Sequence, residues 1–146
     1  MRHITEIGLN LIKRFEGFSP TVYICPAGYP TVGYGHLVRP EERAQFRDGV
    51  TVVWAGELLK HDIRIAEASV VRLVTTPLTD GQFDALVSFT FNLGSGALQR
   101  STLRRVVNRG AHGDVADQLG RWVNAGGRKQ AGLVSRRRAE AIRYAA

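Results

Sequence analysis

Glu16, Cys25 and Thr31 are the residues of this chain whose types and spacing could do chemistry: eight residues separate the first two and five separate the second two. Cleaving a glycosidic bond requires a protonated acid beside the leaving oxygen. It also requires a second group that activates water or stabilises positive charge on the sugar. A glutamate suits the first role when apolar surroundings penalise its charged form. Glu16 follows Phe15, precedes Phe18 and has Ile12 one helical turn back. It also falls at the end of a helix, where the partial negative charge disfavours a carboxylate. On position alone, a solvent-exposed glutamate at a helix terminus is the structural alternative. Cys25 and Thr31 flank residues 26–30, Pro-Ala-Gly-Tyr-Pro, so a turn would bring thiol and hydroxyl into one neighbourhood. An acid facing a group that handles water across a cleft makes hydrolysis of a sugar chain the leading reading.

The elements that must position these groups are legible in the apolar spacing. Ile4, Ile7, Leu11, Ile12 and Phe15 recur at helical steps and predict a helix over 5–16, stopped by Gly17. Residues 21–25 and 31–36 read as two strands of a hairpin with a five-residue loop. A short charged helix is expected over 40–47. A long one is expected over 52–74, with Val53, Leu58, Leu59, Ile63, Ile65, Ala66, Val70 and Leu73 among its apolar positions. At 1.5 Å per residue it would span about 35 Å, enough to run between two lobes. Thr79 and Gln82 form a capping box opening the next helix, which stops in the loop 92–96. Ser101 caps another helix, a further one carries Val115 to Val123 and ends at Gly126-Gly127, and the last runs over 133–144. The expectation is a predominantly helical α+β fold with one small hairpin. It forms one catalytic domain over 1–146: an N-terminal lobe over about 1–60, a connecting helix over about 52–74 and a helical C-terminal lobe over about 77–146.

The chain has 146 residues, 44% of them apolar, and no apolar run near the ~20 residues of a membrane-spanning helix. Its start does not read as a secretory signal, which predicts folding in the cytosol. One cysteine excludes an internal disulfide and a multi-thiol metal site. The four histidines are scattered without ligand spacing, so neither metal nor cofactor is expected. Eleven Arg or Lys stand against three Asp or Glu from Gln99 onward, so the last third holds the whole positive excess of a chain with net charge +7. Such a field suits a polyanionic partner; a solvated helix surface is the alternative.

Several blocks, in order along nearly the whole chain, resemble the phage-type lysozymes, or endolysins. The Glu, eight residues, Cys, five residues, Thr pattern is similar to the family signature, in which Asp often stands where Cys25 does. Lys13-Arg14-Phe15-Glu16-Gly17-Phe18 resembles the opening block. Thr31-Val32-Gly33-Tyr34-Gly35-His36, Phe91-Asn92-Leu93-Gly94-Ser95-Gly96 and the arginine-rich final helix resemble later ones. The resemblance implies a lysozyme-like fold. It implies a muramidase that cuts the β-1,4 bond between N-acetylmuramic acid and N-acetylglucosamine in peptidoglycan and so lyses a host cell. Glu16 would be the general acid and Thr31 would hold the attacking water. Tyr34 and Asn92 would contact substrate, with a helix cap as the alternative for Asn92. A thiol is mostly neutral at its free pKa of about 8.5 and so substitutes poorly for a carboxylate. Cys25 is therefore left open as base, nucleophile or scaffold, as is the stereochemical outcome. The resemblance further implies a monomer held in the host cytoplasm until holin-dependent release to the cell wall. Arg136, Arg137 and Arg138 would meet the anionic cell envelope. No specific nucleic-acid partner is expected.

Two rivals remain at this level. A lytic transglycosylase would use Glu16 but close an anhydro ring instead of adding water. A non-catalytic basic module for nucleic acid explains the C-terminal charge but leaves the Glu-Cys-Thr layout unexplained.

Overall fold

A computed structural model describes residues 1–146. The chain divides into two compact units, Ile12–Ile63 and the combination of Met1–Leu11 with Arg64–Ala146.

The first helix, α1 (Glu6–Glu16), has an acidic residue in its first turn and Lys13 and Arg14 in its last, complementing the helix dipole. It stops at Gly17, whose φ of 71° is the left-handed cap conformation that glycine adopts most readily. The buried face is not the predicted one at every position. Leu9 and Ile12 are buried, whereas Ile7 is 61% exposed. Gly8 explains the rotation: a Cβ there would lie 2.4 Å from Asp84 Cγ, so the helix packs through its glycine.

In the unit Ile12–Ile63 the expected hairpin is a three-stranded antiparallel meander, β1 (Ser19–Ile24), β2 (Pro30–Gly33) and β3 (His36–Leu37). Tyr23 pairs with Thr31 and Thr31 with Leu37, so Thr31 sits on the central strand. The strand predicted over 31–36 is broken because Gly33 and Gly35 have φ of 66° and 79°, turning the chain back at Tyr34. A 3₁₀ segment, Pro40–Phe46, follows. Val32, Val38 and Phe46 form the core here, with Val50, Trp54 and Leu58 against it. The rings of Phe46 and Trp54 lie 5.0 Å apart.

The long helix is α2 (Val52–Leu73). Ala55, Leu59, Ile63, Ala66, Val70 and Leu73 form its buried stripe, whereas Val53 and Ile65 are 78% and 75% exposed. No helix is long and apolar enough to cross a membrane.

In the larger unit, α3 (Asp80–Leu93) opens with the predicted capping box: Thr79 accepts from Gln82 N–H and the Gln82 side chain answers. Its residues are buried nearly all round, as befits the central helix of a bundle, and it packs chiefly on α7 (Ala131–Ala145). Between them lie α4 (Ser95–Arg100), α5 (Thr102–Asn108), which Ser101 caps, and α6 (Val115–Leu119). Two expectations are corrected here. The stretch read as a loop at 92–96 is a break at Gly94, where φ is 94°, after which α4 starts at once. The helix expected through Val123 ends at Leu119. Residues after it form a second hairpin, β4 (Asn124–Ala125) with β5 (Arg128–Lys129). Gly126 and Gly127 both take positive φ, the two-residue turn that a tight hairpin requires.

Candidate functional site

Glu16 is placed by the end of α1 and half-buried. Its carboxylate lies against the Gly35 turn: a Cβ on Gly35 would stand 3.2 Å from Glu16 Oε1. The motif Gly33-Tyr34-Gly35 thus serves the site twice, reversing the chain and leaving room for the carboxylate. Glu16, Gly17, Phe18, Ser19 and Tyr23 line an open depression of about 340 Å³. Tyr34 is half-buried; its ring packs 5.3 Å from that of Phe18, with Lys13 Nζ 5.5 Å from its centroid.

Tyr23 links this depression to the other two predicted residues, because its partner across the ladder is Thr31. Thr31 is only 2% exposed and its hydroxyl donates to the Tyr29 carbonyl at 3.0 Å. Cys25 lies just past β1, half-buried, at the start of a turn closed by Cys25 N–H to Tyr29 O and Gly28 N–H to Cys25 O. The Tyr29 backbone N–H directed at the sulfur is the main reason the Cys25 thiol is held below its ordinary pKa. Burial works against this; the Thr31 hydroxyl and the Ala27 and Gly28 N–H groups add to it. A hydroxyl has one proton to give. With the thiol neutral it serves the Tyr29 carbonyl, and with a thiolate it can turn to sulfur. The Thr31 hydroxyl thus lies where it can favour the ionised sulfur.

A charged cluster that spacing did not reveal braces the same sheet. His36, next to Gly35, bonds Asp62 through Nδ1 at 2.8 Å and Glu42 through Nε2 at 3.0 Å. The bond to Asp62 is the largest influence raising the His36 pKa, with burial opposing and Glu42 adding. Burial pushes the Glu42 carboxyl up, but bonds from the Arg39 side chain and backbone and from His36 outweigh it and bring it down to about 2. The Glu42 side chain also accepts from Arg39 Nε at 2.9 Å. The i,i+3 spacing of Arg39 and Glu42 was the one sequence signal for this cluster.

Asn92 belongs to the other unit. It lies within α3 and does not cap it; that position is Gly94. Its Oδ1 accepts from Arg137 Nη2 at 2.9 Å. Arg137 in turn meets both oxygens of Glu140 at 2.6 and 2.9 Å, and Ser88 donates to Glu140. The arginine run on α7 is therefore not an exposed patch. Arg136 and Arg137 are buried and face Glu140, and only Arg138 of the three is exposed. The helical period explains this, since residues 136, 137 and 140 share one face. No group of His, Cys, Asp and Glu is arranged to hold a metal ion.

A predominantly helical α+β chain, with a carboxylate at a helix end and a thiol and hydroxyl on an adjoining small sheet, defines a lysozyme-like protein. The phage lysozyme family model matches residues 13–140, and the chain belongs to that family. It is similar to the endolysin of Bacillus phage B103, 37% identical over 140 residues, covering 94% of this chain and 52% of that protein. The chain thus spans about half the length of the first curated relatives it matches. The endolysin of Salmonella phage P22 is 34% identical over 144 residues, covering 97% of this chain and 98% of that one. Among solved structures, the muramidase domain of SpmX from Asticaccaulis excentricus superposes with a TM-score of 0.87 at 37% identity, covering 99% of each chain.

Proposed function

We propose that this chain is a phage endolysin whose residues 1–146 act as one catalytic domain, a muramidase that hydrolyses the β-1,4 bond between N-acetylmuramic acid and N-acetylglucosamine. The observation that carries the reading is the Glu16 carboxylate set against the Gly35 turn, in a depression adjoining the Tyr23–Thr31 rung and so the Cys25 thiol. Glu16 gives its proton to the bridging oxygen as the C–O bond breaks. Water adds to the sugar carbon and loses its proton to the Cys25 sulfur, whose ionised form the Tyr29 N–H favours. Thr31 holds that water through its oxygen lone pairs while donating to Tyr29. Tyr34, packed on Phe18 beside the depression, contacts the glycan. The protein works as a monomer without cofactor. It stays in the host cytoplasm until a holin releases it, then acts on the wall. Its attraction to the anionic envelope rests on exposed Arg100, Arg105, Arg109, Arg121, Arg128, Lys129 and Arg138 rather than on the buried pair of α7.

Glu16→Gln tests the reading: it should abolish release of reducing ends from purified peptidoglycan with the thermal transition unchanged, and full retained activity would overturn it. Cys25→Asp should keep activity, whereas Cys25→Ser should lose about 10²–10⁴-fold; an active serine variant would reduce the thiol to a support for Thr31. Fragment masses should include the added water. Anhydro ends would indicate a transglycosylase.

A further inference from the structure

Buried charge that the reaction does not use lies at the start of α1. Two successive backbone N–H groups there are taken by carboxylates from other helices. Ile4 N–H donates to Glu67 of α2 at 2.7 Å, and Thr5 N–H donates to Asp84 of α3 at 2.8 Å. Both carboxylates are buried, Asp84 completely. A carboxylate at this end of a helix also meets the positive end of its dipole.

Asp84 binds more than the backbone. The Thr5 hydroxyl donates to its Oδ2, which also accepts from Arg143 Nε at 2.9 Å and Nη2 at 2.7 Å. That hydroxyl in turn accepts from Gly8 N–H at 3.3 Å, while Leu9 N–H donates to the Thr5 carbonyl at 2.8 Å. Thr5 is therefore the cap of α1, and Asp84 and Arg143 hold the cap in place. The fit is close: a Cβ on Gly8 would fall 2.4 Å from Asp84 Cγ and 2.5 Å from Ile4 Cγ1. Thr5, Gly8, Asp84 and Arg143 all belong to the larger unit.

We infer that Asp84 is a positioning residue for the reaction: by pinning the Thr5 cap it fixes α1 along its length and so holds the Glu16 carboxylate at the far end. The inference rests on the muramidase reading for the role of Glu16 as acid. The helix has 11 residues, about 15 Å from end to end, and one so short is marginal unless its ends are fixed. Being fully buried, Asp84 acts through Thr5 and the helix, not on the glycan. A group that delivers its proton in the transition state is sensitive to displacement, and an error of about 1 Å costs on the order of 10²-fold.

The test uses the full chain and three variants. Asp84→Asn keeps the shape and removes the charge. Thr5→Val replaces the hydroxyl by a methyl group. Gly8→Ala favours helix, yet its Cβ displaces the carboxylate. Well below each thermal midpoint, all three should lower kcat on purified peptidoglycan about tenfold or more with KM unchanged. Amide exchange at Phe15 and Glu16 should quicken by a similar factor. Val107→Ala, a core truncation in α5, should lower the thermal midpoint but leave both kcat and that exchange as in the wild type. Should Asp84→Asn fail to fold, Thr5→Val and Gly8→Ala decide. A wild-type kcat in those two overturns the proposal. So does an equal fall in Val107→Ala, which would make Asp84 a stabilising residue only. Failure of the muramidase reading shows separately, as a wild-type protein without turnover. Quickened exchange at Phe15 and Glu16 in the variants would then still support the hold of Asp84 on the end of α1, and unchanged exchange would overturn it.

Discussion

The two units each bury an ionic cluster, and the clusters are built on opposite principles. In Ile12–Ile63, His36 is held between Asp62 and Glu42, and every partner favours the charged imidazole. In the larger unit, Arg137 and Glu140 are almost fully buried. Burial is the dominant influence on each, drawing the Arg137 pKa down and the Glu140 pKa up, with each partner countering the effect on the other. The first cluster can lose its charge in ordinary buffers, because imidazole titrates there. In the second, the guanidinium keeps its charge throughout that range. The sheet that carries Thr31 and backs Glu16 is thus braced by a titratable group, and the α3–α7 packing by a permanent one.

The largest expected effect breaks the permanent cluster. Glu140→Ala leaves a buried guanidinium without its carboxylate and should destabilise the protein by about 3–5 kcal/mol. That would appear as a fall of roughly 10 °C or more in the thermal midpoint. A loss under 1 kcal/mol would show that solvent reaches Arg137 and that the contrast between clusters is unreal.

The titratable cluster gives the next effect, and its sign is fixed. The raised His36 pKa contributes stability that is complete below the ordinary imidazole value of about 6.5 and is lost as pH rises through the raised one. The lowered Glu42 pKa contributes stability present above about 4.5 and lost as pH falls toward about 2. The joint contribution of these two groups to the denaturant midpoint should therefore be greatest between about pH 4.5 and 6.5 and fall on both sides. His36→Gln should lower stability near pH 6 by about 2 kcal/mol and flatten the alkaline fall. An alkaline limb that persists in His36→Gln would assign it to another group.

Gly35→Ala sharpens the link between brace and site. It forces a Cβ onto a positive φ and to within 3.2 Å of the Glu16 carboxylate. A loss of about 1–2 kcal/mol is expected from the backbone alone. Lysis should fall more steeply than stability accounts for, because the carboxylate must move. The smallest effect tests the N-terminal end of α3: Thr79→Ala removes its cap and should cost about 1 kcal/mol with activity unchanged.

Much of this was legible along the chain. The first helix and its end at Gly17, the long α2, the capping box at Thr79 and Gln82 and the cap at Ser101 follow from local chemistry, and the structure bears them out. Local rules went astray where a glycine had two meanings. Gly126-Gly127 ends no helix but turns a hairpin, and Gly33 and Gly35 fold one predicted strand into two. Apolar periodicity also misplaced Ile7, Val53 and Ile65, because a stripe states which residues could be buried and neighbours decide which are.

By itself the sequence determined the spacing of Glu16, Cys25 and Thr31, the helical character of the chain and its basic C-terminal third. All are properties of residues within a few turns of one another. Only tertiary structure decided that His36 meets Asp62 across 26 residues, that Arg137 reaches Asn92 across 45, and that two of three consecutive arginines point inward. The reason is physical: a charge's partner and its access to water are fixed by packing between distant segments, about which local periodicity carries no information.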